Sequence, residues 1–418
     1  MAMGIFRVTT YSRWLQGAAG MVRIGLARLL QRGQAQWIRC VGFSLATALS
    51  VMLAACATSM GNSGNVTSAL SEQAKSEGAG QPRKPVRIGL LLPISGYGPH
   101  AITAKGMKQA AELALLDLNN PQVQLIVKDD KGTPEGALAA AQEAIGEGAE
   151  ILIGPITAEG TRSAASVASG AGVPVLSFSN DSSVAQENVH LLGFSPEQEV
   201  ERIVGFAASK GKRRFAALIP GDAYGQVVQL ALQKAVQRRG GTLAAVTTFP
   251  RDANAMLDPV RMLASEVLQS ADSATPIDAL LVAADAEVLP QLDPILTYAG
   301  LNSDRVQILG TGAWDFANAG RNPAFVSGWY PGADPPAWRD FVQRFSRSFG
   351  QAPPRLASLS YDAVSFAITL ASAEPGQRFT SEALARPAGF TGVDGPLRFK
   401  TDGVTERAFA VLELQTFG

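Results

Sequence analysis

The stretch ILIGPITAEGTRSAASVASGAGVPVLSFSND, residues 151–181, sets the fold of this chain. Its two apolar runs, 151–153 and 173–176, are too short for helices, and a small-residue stretch of helical length separates them. Strand, helix and strand in that order make a βαβ unit with parallel strands. Small, hydroxyl-rich turns follow each run: Gly154, Pro155, Ile156, Thr157, Ala158 and Glu159 after the first, then Ser177, Phe178, Ser179, Asn180 and Asp181 after the second. Both turns must lie at the carboxyl ends of neighbouring strands, where open α/β sheets keep their ligand crevices. A helix beginning at 157–160 would also aim its first N–H groups into that crevice, which suits a carboxylate or another anion. Ordinary βα loops have the same composition. A ligand role therefore requires a second lobe facing them.

Outward from this unit the alternation continues. Residues 86–93, VRIGLLLP, read as a strand buried on both faces, 101–118 as a helix, 125–127 as a strand and 133–147 as an Ala-rich helix with Thr133 as its cap. After Ser195 and Pro196 the pattern restarts: helix 197–210, strand 215–220, the turn GDAYG at 221–225, helix 226–239, strand 243–249, helix 259–269, strand 279–284, helix 289–299 and strand 306–309. The expectation is an α/β protein of two doubly wound parallel-sheet lobes, internally duplicated in element order. Residues 310–336 read as irregular, and helices resume at 338–349, 356–373 and 381–385. The closing segment, GPLRFKTDGVTERAFAVLELQ, holds two short strands joined by a turn at Asp402 and Gly403.

The first 55 residues differ from the rest. They carry six arginines and no Asp, Glu or Lys, followed by the uncharged run VGFSLATALSVMLAA at 41–55. A basic segment, an apolar run too short to span a bilayer and small residues at its end make a secretory signal. Leu53, Ala54, Ala55 and Cys56 resemble a bacterial lipobox, so 1–55 is expected to be the lipoprotein signal peptide and Cys56 the lipidated residue. Residues 56–85 have almost no large apolar side chains and form the expected tether, spanning on the order of 30 Å. The two cysteines leave no pair for a disulfide, since Cys40 falls in the leader. The whole chain balances 36 basic against 36 acidic residues, and removal of the leader leaves the remainder acidic by six. No basic field remains for nucleic acid.

The order VRIGLLLPISG, GMKQAAELALLDLN, VKDDKGTPEGA, ILIGPITAEGT, GVPVLSFSND, GDAYG, SYDA and GPLRFKTDG resembles the type I periplasmic binding proteins of the leucine/isoleucine/valine-binding family, over about 86–415. The resemblance implies two lobes closing over a ligand, with three hinge crossings near 195–198, 318–330 and 392–397. It assigns 86–196 with 319–395 to lobe 1 and 197–318 with 396–418 to lobe 2. It also implies a ligand carboxylate held by Thr157, Ala158, Glu159, Ser177, Ser179, Asn180 and Asp181, with Tyr224 and Tyr361 packing on the ligand. The family's ammonium partner is a glutamate in the loop after strand 306–309. Here that loop reads Gly310, Thr311, Gly312, Ala313, Trp314, Asp315, with no Glu. Asp315, Asp285 or Asp181 is the substitute this reading offers; otherwise the ligand is not an ordinary α-amino acid, or there is none. Trp314 and Asp285 join the candidate ligand-binding set.

Within the family the chain looks most like lipoproteins that activate penicillin-binding proteins. The reading taken from sequence is therefore a non-catalytic, lipid-anchored extracytoplasmic binding protein that activates a peptidoglycan synthase, with the outer membrane favoured because Ala57 follows the cysteine. Its alternative is the solute receptor of an ABC importer for amino acids or similar polar ligands, docking on the importer permease. No cofactor or metal is expected: the two histidines, His100 and His190, lie far apart in the chain and sit in no ligand spacing. No nucleophile elbow or P-loop occurs, and Ser209 with Lys212 forms a Ser-x-x-Lys without its companion motifs. Asp129 and Asp130 read as a solvated strand end.

Overall fold

Two parallel sheets, each with its own core, carry the chain in the computed structural model, which describes residues 84–96, 98–316 and 318–416. The expected signal peptide, Cys56 and the tether as far as residue 83 lie outside the described residues.

The first sheet contains β1 (Val86–Leu92), β2 (Val123–Asp129), β3 (Ala149–Ile153), β4 (Val175–Ser177) and β5 (Val189–Leu191), connected through helices α1 (Gly98–Leu118), α2 (Pro134–Gly146) and α3 (Ala158–Ala171). Strand order is β2-β1-β3-β4-β5, all parallel. Apolar side chains at Ile88, Leu90, Leu91 and Leu92 are fully buried because helices cover both faces. Each such side chain contributes roughly 1.5–3 kcal/mol of burial.

The chain then enters α4 (Pro196–Ser209) and a second sheet: β6 (Arg214–Pro220), α5 (Ala223–Arg238), β7 (Thr242–Phe249), α6 (Leu257–Ser270), β8 (Ala279–Val282), α7 (Leu289–Tyr298), β9 (Gln307–Gly310) and β10 (Trp329–Gly332). It continues through α8 (Pro335–Phe349), α9 (Ala357–Leu370), α10 (Ser381–Leu384), β11 (Phe390–Gly392), β12 (Gly395–Phe399), β13 (Thr405–Arg407) and β14 (Ala410–Glu413). The second sheet runs β7-β6-β8-β9-β10, parallel, with β14 antiparallel at its edge. In both halves the first strand sits between the second and the third. The duplication read from the sequence is therefore one of topology as well as element order. This order places a crevice at the carboxyl ends of the central strands.

Local signals fix where the helices start. Thr133, Thr157, Ser195 and Asp222 each cap a helix, their side chains accepting a backbone N–H from the first turn. A cap of this kind contributes about 1 kcal/mol.

The crossings between halves fall partly elsewhere than expected. The first follows β5 and enters α4 through Ser195 and Pro196, as the sequence suggested. Trp329–Gly332, assigned by expectation to the first lobe, is instead β10 of the second sheet, so the chain returns only at 333–335. Trp-Tyr-Pro-Gly falls in the stretch read as irregular, yet its backbone bonds to β9 and β14. The third crossing lies at 408–409 and not at 392–397: Leu397 and Phe399 pack into the first half's core, and Leu191 N donates to the Gly403 carbonyl at 2.9 Å. The short sheet β11-β12-β13 thus rides on the first half, its last two strands forming the expected hairpin around Asp402 and Gly403.

Candidate functional site

A cavity of about 320 Å³ opens where the carboxyl ends of the two sheets meet the crossings. The second half lines it with Glu199 near the start of α4, Tyr224 at the start of α5, Arg251 after β7, Asp285 after β8, and Gly312, Ala313 and Asp315 after β9. The first half contributes Asn180, Arg355 and Leu356, and the crossings contribute Phe194, Pro196 and Phe409.

Of the residues proposed from sequence, Asn180, Tyr224, Asp285 and Asp315 line this cavity. The others are engaged elsewhere. Thr157 Oγ1 accepts the Gly160 N–H at 3.1 Å, and Ala158 begins the helix that Thr157 caps. Glu159 is turned to Arg162, 3.8 Å away. Ser177 is fully buried, sharing a 2.7 Å hydrogen bond with Thr161 and accepting the Ser179 N–H at 3.0 Å. Ser179 Oγ in turn accepts the Asp181 N–H at 3.2 Å, while the Asp181 carboxylate accepts from Ser183 N and lies 3.6 Å from Arg162. Trp314 is fully buried among Phe325 and Tyr330, so it belongs to the second half's core. Gly310 makes room for that indole: a Cβ there would stand 2.2 Å from the ring. Tyr361 points away from the cavity, donating to Asp117 at 3.0 Å and accepting from Arg344 at 2.8 Å.

Asp130 also departs from expectation. It is buried, accepts the Gly132 N–H at 2.8 Å, and burial pushes its carboxyl up to about 6. Asp129, by contrast, ties the loop after β1 to β2 by accepting from Ile94 N at 2.9 Å and Ser95 N at 3.3 Å.

The charged residues that shape the site are ones the sequence reading did not select, apart from Asp285 and Asp315. Arg355 donates to Asp315 of the second half at 2.9 Å and lies 2.9 Å from Asp394, which has a fully buried side chain. Its guanidinium lies over Phe194 at 4.5 Å and Trp338 at 4.6 Å. One arginine thereby links the two halves at the hinge, in the planar, two-sided geometry that guanidinium permits. Arg407, on β13, donates to the Leu192 carbonyl at 3.1 Å and lies over Phe194 at 5.3 Å. Arg251 pairs with Asp285 at 2.8 Å and with the cap residue Asp222 at 3.2 Å. Tyr224 donates to Thr311 at 3.0 Å, and burial pushes its hydroxyl well above the usual range, so it stays protonated.

Glu199 stands apart from these pairs. It is 7% exposed, and its Oε2 accepts the Gly312 N–H at 3.0 Å. It forms no ion pair among the described residues. Loss of hydration outweighs the attraction of Arg355 and Arg407 and pushes its carboxyl up to about 7. A signal was present in the sequence: Glu199 falls on the apolar stripe of α4 with Val200, Ile203, Val204 and Ala207, where a charged residue is out of place.

Among the described residues no group of three or more His, Cys, Asp or Glu is placed to hold a metal ion. No helix among them is long and apolar enough to cross a membrane.

Two α/β halves, joined by three crossings and with a cavity between them, define the class of clamp-like binding proteins. Residues 85–418 match the family model described as periplasmic binding protein, and the chain belongs to that family, of the type I, leucine/isoleucine/valine-binding kind. The fold is shared with an ABC transporter substrate-binding protein from Desulfitobacterium hafniense (TM-score 0.63, 20% identity, 80% of this chain and 98% of that one). It is also shared with a branched-chain amino acid transporter substrate-binding protein of Streptococcus pneumoniae in complex with isoleucine (TM-score 0.58, 17% identity, 79% and 97%). A third neighbour is a solute-binding protein of an ABC transporter from R. palustris in complex with benzoate (TM-score 0.58, 18% identity, 79% and 93%). Among curated proteins, an uncharacterized protein of Rickettsia prowazekii (strain Madrid E) is 21% identical over 198 residues, 47% of this chain and 52% of that protein. The chain thus spans about half the length of the curated relative it matches.

Proposed function

We propose that this protein is a non-catalytic, extracytoplasmic solute receptor that delivers a small polar ligand to an ABC importer. The observation that carries the reading is the cavity of about 320 Å³, lined from both halves and from the crossings that join them. Its volume falls at the lower end of small-molecule sites, roughly 300–1,000 Å³, the scale of an amino acid or a benzoate. A ligand bridging Asn180 on one side and Tyr224 on the other would favour the closed arrangement by its differential contacts. Structural neighbours crystallised with isoleucine and with benzoate support a receptor role. Activation of a peptidoglycan synthase, the first reading taken from sequence, has no counterpart among these neighbours, so the importer alternative is the one adopted. Lipid anchoring through Cys56 remains part of the proposal, resting on the sequence pattern alone.

The test is small-angle X-ray scattering combined with a thermal-shift screen of amino acids and aromatic acids. A compound that raises the melting midpoint should also reduce the radius of gyration. Stabilisation by no compound, or stabilisation without compaction by every compound that binds, contradicts the reading.

A further inference from the structure

We propose that the protein has a second small-molecule site, separate from the cleft cavity and on the opposite face of strand β10, that takes an apolar carboxylic acid. This goes beyond the receptor reading and does not depend on it.

A cavity of about 510 Å³ lies there, within the range of small-molecule sites, roughly 300–1,000 Å³. Phe316, Tyr330 and Leu412 of the second half form one wall, and Trp338, Val342 and Pro353 of the first half form the other. Asp315 and Arg355, paired at 2.9 Å, line both this cavity and the cleft. Successive residues of β10 divide between the two, Pro331 lining the cleft and Tyr330 the second cavity, as side chains on opposite faces of a strand must. The Arg355–Asp315 pair is therefore a partition with a cavity on each side.

Two donors in the second cavity are unspent. Tyr330 is 7% exposed, yet its hydroxyl makes no hydrogen bond among the described residues. Burial, with Asp315 nearby, holds that hydroxyl protonated, so it lacks an acceptor. Arg339 stands exposed at the rim with no ion pair or hydrogen bond among the described residues. Its chain neighbour Asp340 is bound to Arg344 at 2.9 Å, and Asp315 is held by Arg355, which reaches Asp394 as well. The free charge in the lining is thus positive, and it borders an apolar space.

A carboxylate supplies acceptors for both donors, and an apolar body suits the walls. An amine would bring a cation to a guanidinium and meet no unpaired acid in the lining. A sugar would leave hydroxyls without partners against Phe316, Val342 and Leu412.

The inference is tested by titration calorimetry on wild type, Arg339→Ala, Tyr330→Phe, Val342→Trp and Tyr224→Ala. The probe is octanoate; octan-1-ol lacks its charge, acetate lacks its apolar body, and octylamine reverses its charge. Octanoate should bind one to a chain, octan-1-ol more weakly, and acetate and octylamine not at all. Arg339→Ala removes an exposed side chain, so the fold is unaffected, and it should weaken octanoate about two- to fivefold and flatten its salt dependence. Tyr330→Phe keeps the ring and should weaken it about tenfold. Val342→Trp fills the cavity and should abolish binding, whereas Tyr224→Ala, in the cleft, should change it less than twofold. Octanoate binding that survives Arg339→Ala and Val342→Trp but is lost in Tyr224→Ala overturns the inference while leaving a receptor. Failure of octanoate to bind a protein that an amino acid or an aromatic acid compacts overturns it too, with the receptor reading intact. Octanoate bound as expected by a protein that no such acid compacts upholds this site while the receptor reading falls.

Discussion

Replacing Glu199 by Gln should stabilise the unliganded protein at pH 8 and leave it nearly unchanged at pH 4. In the native state burial keeps this carboxyl protonated to about 7, whereas its ordinary value is 4.5. Between those values the unfolded chain binds fewer protons than the native one, so stability falls as pH rises through the window. The interval corresponds to about 3 kcal/mol of stability, fully present below pH 4.5 and fully lost above pH 7. Gln takes up no proton and avoids that loss. The assay is urea unfolding followed by circular dichroism, on protein refolded from denaturant to strip small molecules, at half-unit steps from pH 4 to pH 8. The difference between variant and wild type should grow by about 3 kcal/mol across the series, with m unchanged. A difference that varies by less than about 0.5 kcal/mol would mean that Glu199 is solvated or paired, and the argument built on it would fail.

Other expectations follow from the same geometry. Arg355→Met strands the buried Asp394 and should cost about 3–5 kcal/mol by urea unfolding, while adding Asp394→Asn should recover more than half of the loss; strict additivity would show that the two do not interact. His190 is fully buried beside Phe399, its ring nitrogens have no partner among the described residues, and loss of hydration lowers it to about 4. As pH falls below 6.5 the unfolded chain therefore takes up a proton that the native chain refuses, so stability declines toward pH 4 by about 3 kcal/mol, a decline His190→Leu should remove. Tyr224→Ala should weaken small-molecule binding at least tenfold in calorimetry, whereas Ser179→Ala should change it less than twofold, because Ser179 Oγ is spent on the Asp181 N–H and does not line the cavity.

The sheets were legible because their signals are local. Short apolar runs such as 151–153, separated by helical lengths, leave little choice but βαβ units, and Thr133 announces a helix through its own side chain. Strand β10 escaped because Pro331 and Gly332 disguise a segment whose antiparallel partner is distant in the chain, as Trp329 pairing with Glu413, 84 residues on, shows. The site was legible in its loops and less so in its side chains. Asn180, Tyr224 and Asp285 reach the cavity, yet Ser177 and Thr157, chemically as suitable, satisfy their own turns. Direction at a loop is decided by packing, as with Trp314, which the room left by Gly310 draws into the core. Arg355 and Glu199 acquire their roles from partners distant in the chain, Asp315 at 40 residues and Gly312 at 113. No nearby pattern announces contacts of that kind.

Native mass spectrometry of the protein, purified without a denaturing step, addresses most directly whether these halves hold a small solute. The account predicts a one-to-one adduct of small-molecule mass that vanishes after unfolding and is restored, on refolding, by an amino acid or an aromatic acid. A bare mass that no small molecule alters, with instead a stable complex formed on adding the extracytoplasmic part of a peptidoglycan synthase, would contradict it.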